Sequence, residues 1–540
     1  MNATSKQQNR VFPGHLSSPA MVIIGAAASA GAVAAGAAVT GTTLALFFAT
    51  VCLVAAVVSM THQHRRHHRR LPNFPGGPHR VPLLGNIPIL TGTDKPYVAC
   101  TELAKKHGDI YSLKLGDDWF LVLNSTELIR AAFVDMAEEF AGRPSLFSTE
   151  KLTEGYKDIS FTDYTPEWRH HRRLFSKSLK SFTGGTRLES IVHERLGALE
   201  EYLDARLGQE INATYIIDLA VLGILTRLSF GYENDDIHEQ MMRLIPGDVA
   251  TLVIGKRMAV DAFHWMKHFS NKEKKFIKAV SNEFNGLINA EVQRHKETYD
   301  PSNIRDMIDE LIKSQQEARD NGDTDLDFFS DTHISQTIAN VLVGGGIGTG
   351  QSSYWALACM TENPHLQEKV SEVVEGAVGH DRMPALSDRS AIRYVEALVM
   401  EALRYASAAP IGVPRTTTRD VNFRGYRIPK GTPVLYNMYA VHFDEKNFEE
   451  PFEFKPERFL KEDGSIQHSQ SYLPFNIGHR QCLGKTQGEV ICFLVYSWLF
   501  HRYTFTKVPE HQDENLLVQN PMIQAARSPK PFKVIATKRY

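Results

Sequence analysis

Pro474-Phe475-Asn476-Ile477-Gly478-His479-Arg480-Gln481-Cys482-Leu483-Gly484 is the stretch from which the rest of the chain can be interpreted. A single cysteine, Cys482, stands among glycines with Arg480 two residues before it, and the apolar run 490–495 follows. A thiolate that binds a metal needs small residues that let the backbone approach, nearby positive charge and the N-terminus of a helix. Cys482 is therefore predicted to be a metal-binding thiolate just ahead of a helix.

The composition limits the class of protein. The chain has 540 residues, 43% hydrophobic and 23% charged, which is enough to bury a large core. Its net charge of −2 provides no general attraction to nucleic acid, so no nucleic-acid partner is expected. The five cysteines form no close pairs, so we predict neither a disulfide framework nor a zinc site, and we expect a reducing compartment.

The N-terminal region predicts a membrane anchor. Residues 21–60 carry no charge, residues 40–60 are about long enough to cross a bilayer, and the basic block 62–70 follows. By the positive-inside rule, residues 1–20 form a short lumenal tail, residues 21–60 a single-pass transmembrane signal-anchor region, and the catalytic domain is cytosolic. A cleaved signal peptide would be followed by a cleavage site rather than a basic block. A mitochondrial presequence would be an Arg-rich amphipathic helix, and whether residues 21–39 also enter the bilayer stays open.

The remaining chain is predicted to be one domain. Residues 61–93 form a basic and proline-rich hinge, and residues 94–540 a catalytic domain that is mainly α with small β-sheets (α+β). Residues 166–316 are mostly helical in pattern. The other predicted helices are Tyr97–His107, Asp331–Glu362, Pro364–Glu375 and Arg389–Ser407. The predicted strands are Ile110–Leu115, Trp119–Leu123, Val421–Phe423 and Pro433–Tyr436.

The pattern Phe475-x-x-Gly478-x-Arg480-x-Cys482-x-Gly484 resembles the haem-binding signature of the cytochrome P450 superfamily. The resemblance implies haem b with Cys482 as axial thiolate, which pushes electron density into the iron. It also implies that Phe475 packs beside the sulfur, that Gly478 and Gly484 permit close backbone approach, and that Arg480 pairs with a haem propionate.

Further motifs match the same superfamily in the expected order. Trp168-x-x-x-Arg172 resembles the element whose Trp and Arg bind haem propionates, and Arg415 matches the position of another propionate partner. Three cations for two carboxylates suit an anionic cofactor. Glu401, Arg404 and Arg458 resemble the family's buried Glu–Arg–Arg network, a structural element that supports the cysteine loop.

The resemblance covers nearly the whole chain. The runs 139–144, 265–272 and 423–432 are most similar to the animal microsomal group that contains steroid 17α-hydroxylase and the aromatic-hydrocarbon hydroxylases. It implies an endoplasmic reticulum membrane enzyme that inserts one oxygen atom of O2 into a small lipophilic substrate, such as a steroid, a fatty acid or a xenobiotic. NADPH-cytochrome P450 reductase is the implied electron donor, with cytochrome b5 as a second candidate partner.

One family motif is broken. The long helix normally carries a small pair, an acid and an alcohol that relay protons, but residues 343–350 read Val-Gly-Gly-Gly-Ile-Gly-Thr-Gly. Counting back from Asn363-Pro364 puts Ile347 at the acid and Gly348 at the alcohol, whereas sliding by one residue keeps Thr349 as the alcohol. In either register the acid is missing. Five glycines in seven residues also predict local widening or a kink, at about 1 kcal/mol each relative to Ala.

The broken motif leaves three functions open. The first is a monooxygenase that obtains protons from water, from Thr349 as its catalytic residue or from a substrate hydroxyl. The second is an isomerase or dehydratase of lipid hydroperoxides or endoperoxides that needs no reductase. The third is a haem-thiolate ligand-binding protein without turnover. The candidate pocket residues are small or apolar except for the Thr349 hydroxyl: Gly344, Gly345, Ile347, Thr349, Ile411, Val413, Met522 and Ile523.

Overall fold

The computed structural model describes Thr50 and residues 73–540, apart from 233–234, 255–257, 321–328 and 522–525. The predicted membrane anchor at residues 21–60 therefore lies, except for Thr50, outside the described residues. Residues 72–540 form one compact unit.

Helices dominate the described part of the chain. They are α1 Ile87–Thr91, α2 Pro96–His107, α3 Thr126–Arg130, α4 Phe147–Leu152, α5 Pro166–Thr183, α6 Arg187–Asp204, α7 Ala213–Phe230, α8 Asp235–Leu244, α9 Ala250–Ile254, α10 Ala259–Ala262, α11 Asn271–Glu297, α12 Met307–Asp320, α13 Asp331–Glu362, α14 Pro364–Val378, α15 Arg393–Ala406, α16 Met438–His442 and α17 Lys485–Arg502. Short 3₁₀ turns include Leu386–Asp388, Pro456–Phe459 and Gly478–Arg480. The predicted mainly-α class is confirmed.

The strands form three small sheets. They are β1 Ile110–Leu115, β2 Asp118–Leu123, β3 Glu210–Asn212, β4 Arg415–Thr416, β5 Val421–Phe423, β6 Tyr426–Ile428, β7 Pro433–Tyr436, β8 Tyr503–Lys507 and β9 Lys533–Lys538. The four-stranded sheet has the order β1-β2-β7-β4, in which β2 and β7 are parallel and the outer pairs antiparallel. The others are β3-β9-β8 and β5-β6.

The long helix α13 runs through the main core. Its start is fixed by a reciprocal cap between Ser330 and His333, and it stops at Asn363 before Pro364. It packs along α7, α11, α15 and α17. The largest buried apolar cluster joins these helices with α5, α6, α12 and α14.

The proline-rich segment joins the folded body well before residue 94. Ser112 of β1 donates from its backbone N to Gly76 O at 2.7 Å and from Oγ to Pro75 O at 2.7 Å. A Cβ on Gly77 would lie 2.0 Å from Ser112 O, so only glycine permits this approach. Together with helix α1, these contacts place residues 75–93, which the sequence predicted to belong to the hinge, in the folded body.

Two predicted helix ends are wrong, and of the two distortions predicted for α13, a widening or a kink, the widening is absent. Helix α14 passes through Gly376 and ends at Gly379, which adopts a left-handed φ of 72° and donates to Glu375 O. Helix α15 starts at Arg393 instead of Arg389, because Ile392 N bonds to Asp388 O in a preceding turn. Helix α13 stays α-helical through all its glycines.

One helix in the described part, α7, is long and apolar enough to span a membrane. In the fold, 72% of its most apolar window is buried. This is the environment of a core helix, since α7 lies against α6 and α13.

Candidate active site

The cysteine loop folds back on itself before α17. Cys482 N donates to Phe475 O at 3.0 Å, and Gln481 N donates to Gly478 O at 2.9 Å. Gly478 has a φ of +75°, and a Cβ there would lie 1.9 Å from Phe133 O. The loop therefore requires glycine at this position, whereas a Cβ on Gly484 would meet no described atom within 4 Å.

The Cys482 side chain is exposed, yet it lies deep enough that burial is the largest influence on its pKa. Burial raises the pKa of this thiol, while the Gly484 N–H and the Arg172 guanidinium lower it. Both groups stabilise a negative sulfur, and a bound metal ion would replace the thiol proton. The ring of Phe475 lies beside α17, with Cε1 3.7 Å from the position a Gly488 Cβ would take.

Four arginines from different parts of the chain gather near the loop. They are Arg143 before α4, Arg172 of α5, Arg415 of β4 and Arg480 of the loop itself. Burial, reinforced by the neighbouring cations, lowers the pKa of Arg480 to about 8, and burial lowers that of Arg415 to about 9. Burial also lowers the pKa of Arg172 to about 10. Such a cluster favours an anion, because each cation destabilises the next.

The guanidinium of Arg415 is incompletely paired. Its Nη2 donates to Ile477 O at 2.9 Å and its Cζ lies 3.5 Å from the centre of the Phe133 ring. Its Nε and Nη1 are buried and have no hydrogen-bond partner within the described part of the chain. Buried charged donors of this kind need an acceptor, and a carboxylate placed here would accept hydrogen bonds from them.

Trp168 acts differently from the expectation based on sequence. Its indole Nε1 donates to Ile159 O at 2.8 Å. Its ring contacts two guanidiniums, with its centre 3.8 Å from Arg480 Cζ and 5.4 Å from Arg172 Cζ. In this structure Trp168 therefore holds the arginines by cation–π contact.

Arg143 was not identified as a site residue from the sequence. Its Nη1 donates to Val413 O and Pro414 O, both at 2.7 Å, and its Nε to Ser160 O at 2.7 Å. Burial lowers its pKa. The available signal was an arginine inside the mostly apolar run 140–144, where a buried cation needs partners.

The glycines of α13 face two different ways. A Cβ on Gly345 would lie 2.8 Å from Leu225, and one on Gly346 would lie 2.7 Å from Leu222, both on α7. A Cβ on Gly344 or Gly348 would meet nothing within 4 Å. Gly345, predicted to line the pocket, thus serves helix packing, whereas Gly344 and Gly348 leave one face open.

Thr349 and Ile347 have different surroundings in the structure. Thr349 Oγ1 lies 3.4 Å from the position of a Gly488 Cβ, so this hydroxyl sits where α13, α17 and Phe475 meet. Ile347, which one of the two registers puts at the acid, packs against the main core. Ile411 packs against the four-stranded sheet. Val413 N donates to the Tyr436 hydroxyl at 3.0 Å. Residues 522–523 lie outside the described residues.

The predicted three-residue network is present and buried. The Glu401 carboxylate receives Arg404 Nε at 2.7 Å and Arg458 Nε at 3.1 Å, and both Glu401 and Arg404 have no exposed surface. Arg404 Nη1 also donates to His442 O and Pro451 O. The network therefore ties α15 to the segment that leads into the cysteine loop.

Comparisons with known proteins identify the family. The family model for cytochrome P450 matches residues 75–536. The chain belongs to the cytochrome P450 family. The steroid 17-alpha-hydroxylase/17,20 lyase of Ictalurus punctatus is 30% identical over 91% of this chain and 95% of its own length, and that of Oryzias latipes is 31% identical over 89% and 96%.

Solved P450 structures agree. A zebrafish cytochrome P450 with progesterone has a TM-score of 0.72 at 31% identity, covering 82% of this chain and 99% of its own. The same comparison with abiraterone gives 0.71 at 30%. This chain is thus a P450 monooxygenase, and its cofactor is haem b held by a cysteine thiolate.

The site residues fit that cofactor. The unpaired nitrogens of Arg415 and the mutually destabilising arginines match two propionates, and the loop offers one exposed cysteine. The other described cysteines, at positions 100, 359 and 492, are buried. When bound, the haem thiolate supplies the activation of O2.

Proposed function

We propose that Cys482 is the axial ligand and that Arg143, Arg172, Arg415 and Arg480 hold the two propionates. Supporting this are the Arg172 charge and the Gly484 N–H, which both favour a thiolate at Cys482. Phe475 and Gly478 shape the loop, and Trp168 aligns two of the arginines. Gly484 adds no side chain to the loop, and a Cβ there would meet nothing within 4 Å.

The chain works, in this proposal, as an endoplasmic reticulum enzyme. Residues 1–20 are lumenal, residues 21–60 cross the membrane once and residues 61–74 connect them to a cytosolic catalytic body. Electrons come from NADPH through cytochrome P450 reductase, with cytochrome b5 as an accessory donor. The uncharged span and the basic block behind it support this topology.

The proposed substrate is a steroid-sized lipophile that is hydroxylated. The observation that carries this is the match, over about nine-tenths of the chain, to proteins named steroid 17-alpha-hydroxylase/17,20 lyase. The open face at Gly344 and Gly348 adds room for a bulky apolar ligand, because neither position carries a side chain.

The ligand assignment is tested by carbon monoxide difference spectra of the reduced full-length protein. Wild type is expected to show the long-wavelength Soret band of a haem thiolate, and Cys482→Ser is expected to lose it. Cys492→Ser, ten residues further along on α17 and buried, is the matched control and should keep the band. Loss of the band in the control but not in Cys482→Ser would refute the assignment.

The substrate assignment is tested with progesterone as the probe. We expect a type I spectral shift and a hydroxylated product that requires both NADPH and reductase. Because residues 343–350 lack the expected acid in either register, a peroxide isomerase is the second candidate, and turnover of a lipid hydroperoxide without reductase would favour it. A spectral shift without either turnover would indicate a ligand-binding protein.

A further inference from the structure

Helix α13 has no acidic residue where protons are needed. Between Thr332 and Thr361 it carries no Asp, Glu, Lys or Arg. The monooxygenation proposed above, on which this inference rests, is RH + O2 + 2H⁺ + 2e⁻ → ROH + H2O. The C–H and O–O bonds break, the C–O bond of ROH and the O–H bonds of ROH and water form, and NADPH supplies the electrons through the reductase. A carboxyl group that supplies these protons must therefore lie on another element.

A polar stripe on α13 leads to its open face. Gln336, Asn340, Gly344 and Gly348 are spaced by four residues, so each lies about one turn further along α13 and about 40° around it from the one before. With a rise of about 1.5 Å per residue, Asn340 lies about 12 Å from Gly348 along the axis. Gly344 and Gly348 leave the intervening surface uncovered, since a Cβ at either would meet nothing.

A buried carboxyl lies beside Asn340. Asp158 Oδ2 accepts from Ser160 N at 2.7 Å and from Phe161 N at 2.8 Å. The same Ser160 N–H also reaches Asn340 Oδ1 at 3.1 Å, and the Ser160 hydroxyl donates to that oxygen at 2.9 Å. Asp158 and Asn340 are thus neighbours that share one donor, although 182 positions separate them in the sequence.

Asp158 is in an environment suited to holding a proton. It is 1% exposed, and burial raises the pKa of its carboxyl, opposed by hydrogen bonds from Phe161, Ser160, Thr162 and Asn340. Arg143 interacts with it electrostatically, but that guanidinium already binds three backbone carbonyls. Bound propionates would share the Arg143 charge and so leave the Asp158 proton more firmly held.

The stripe also reaches solvent. Glu154 is exposed, and its Oε2 accepts from Gln336 Nε2 at 3.1 Å. Gln336 is itself buried and donates to Asn285 Oδ1 of α11 as well, at 3.2 Å. An exposed carboxylate therefore lies one helical turn of α13 before the Asp158–Asn340 contact.

We propose that Asp158 is the proton donor for the oxygen chemistry of this P450. It acts through water along the open face of α13, with Asn340 and Ser160 positioning it and with Glu154 and Gln336 marking the route by which solvent reprotonates it. The acid that other P450s carry on α13 is thus supplied here by the loop before α5.

A spectroscopic test does not depend on turnover. Infrared spectra of the full-length haem protein across a pH titration should contain a band from a protonated carboxyl group. This band should persist at pH values above those at which ordinary carboxyl groups lose their proton. Asp158→Asn should remove it, because Asn keeps the acceptor for Ser160 and Phe161 but cannot hold the proton. A spectrum unchanged by this substitution would overturn the proposal even if the monooxygenase function stands.

The turnover test uses progesterone, reductase and lipid. Asp158→Asn should lower product formed per NADPH by about 100-fold or more and enlarge the solvent deuterium isotope effect. Haem content and the progesterone spectral shift should stay at wild-type values. A mere loss of the turn at residues 158–161 would instead lower haem content without changing the isotope effect. If wild type itself gives no NADPH-dependent product, the proposed function fails, and the infrared titration alone decides the protonation of Asp158.

The matched control is Asp218→Asn. Asp218 lies on α7, burial raises the pKa of its carboxyl to about 7, and it interacts with Tyr354 in the C-terminal half of α13. We expect it to leave product per NADPH and the isotope effect unchanged. Adding Asn340→Asp to Asp158→Asn should restore part of the product, since it returns a carboxyl to the same contact. Equal losses of product in Asp158→Asn and Asp218→Asn would contradict the assignment. So would a double variant with Asn340→Asp that restores no product.

Discussion

Arg415 is a buried cation whose hydrogen-bonding groups are left available for an anion. Its side chain has no exposed surface, and two of its three nitrogens lack partners within the described residues. A charge held this way costs folding free energy that hydrogen bonds to protein do not return. Arg404 is buried to the same degree but is fully engaged by Glu401 and two backbone carbonyls.

We predict that Arg415→Leu separates stability from haem retention. The free energy of unfolding of the apoprotein should stay constant or rise by about 1–4 kcal/mol, because an unpaired buried charge is removed. Haem should be lost faster, because a propionate partner is gone. Chemical unfolding of the apoprotein and the rate of haem transfer to an acceptor protein measure the two effects.

Arg404→Leu is the control for this prediction. It leaves the Glu401 carboxylate buried and paired with Arg458 alone, which should cost about 3–5 kcal/mol in the apoprotein. Arg415→Leu would contradict the propionate role if it destabilised the apoprotein as strongly as Arg404→Leu does.

At the scale of an element, α13 remains a helix despite five glycines because its surroundings fix it. Gly345 and Gly346 let α7 approach through Leu225 and Leu222, so the packing gained offsets the weak helix propensity. Gly344 and Gly348 gain no such packing. The same residue type thus has a structural use on one side of the helix and leaves space on the other.

Alanine substitutions should distinguish these two sides. Gly348→Ala is expected to stabilise the protein by up to about 1 kcal/mol through helix propensity and to weaken progesterone binding by filling the open face. Gly346→Ala is expected to be the less stable of the two, because its methyl group would crowd Leu222 and Ile245, at a typical cost of about 1–3 kcal/mol. Thermal unfolding and spectral titration measure both. Equal stability of the two variants would show that the contacts with α7 are not tight.

At the scale of the whole molecule, buried neutral histidines tie several elements together. His442 accepts from Leu473 N at 3.1 Å, just before the cysteine loop, and burial with Arg404 nearby lowers its pKa to about 3. Burial also lowers the pKa of His333 to about 4 and of His501 to about 4. Burial also holds the pKa of His171, which contacts Thr337 of α13, well below 6.5.

These groups predict that acid weakens the fold. Between pH 6.5 and about 3 the unfolded chain binds a proton at His442 and the native chain does not, so the free energy of unfolding falls as pH falls through that window. From pH 7.5 to 5, His442 alone should lower the free energy of unfolding by about 2 kcal/mol. Denaturant unfolding at the two pH values measures this, with His442→Gln expected to show a smaller difference than wild type.

His365→Gln, at an exposed position on α14, is the control and should keep the wild-type pH difference. His295 contributes in the opposite direction, since Asp306 raises its pKa against the effect of burial, and its contribution is lost as pH rises. A pH difference that is identical in wild type and His442→Gln would exclude His442 as a source.

Local pattern was sufficient for much of the fold and part of the site. The bounds of α13 and β1 match the prediction, because caps, the Asn363-Pro364 stop and strand alternation act over a few residues. The cysteine loop and the Glu401 network could be assigned because their spacing matches a family pattern. The end of α14 was wrong, since Gly376 and Gly379 differ in backbone conformation and not in residue type.

Residue identity at fixed spacing was therefore enough to determine the family, the cofactor and the lack of any Asp or Glu between Thr332 and Thr361 of α13. Only the tertiary structure decided that Arg143 joins the arginine cluster, that Trp168 bonds to Ile159, and that Gly345 packs while Gly348 stays open. It also decided that Asp158 meets Asn340. These contacts join elements distant in the chain, and no local propensity encodes which of many buried partners a side chain will meet.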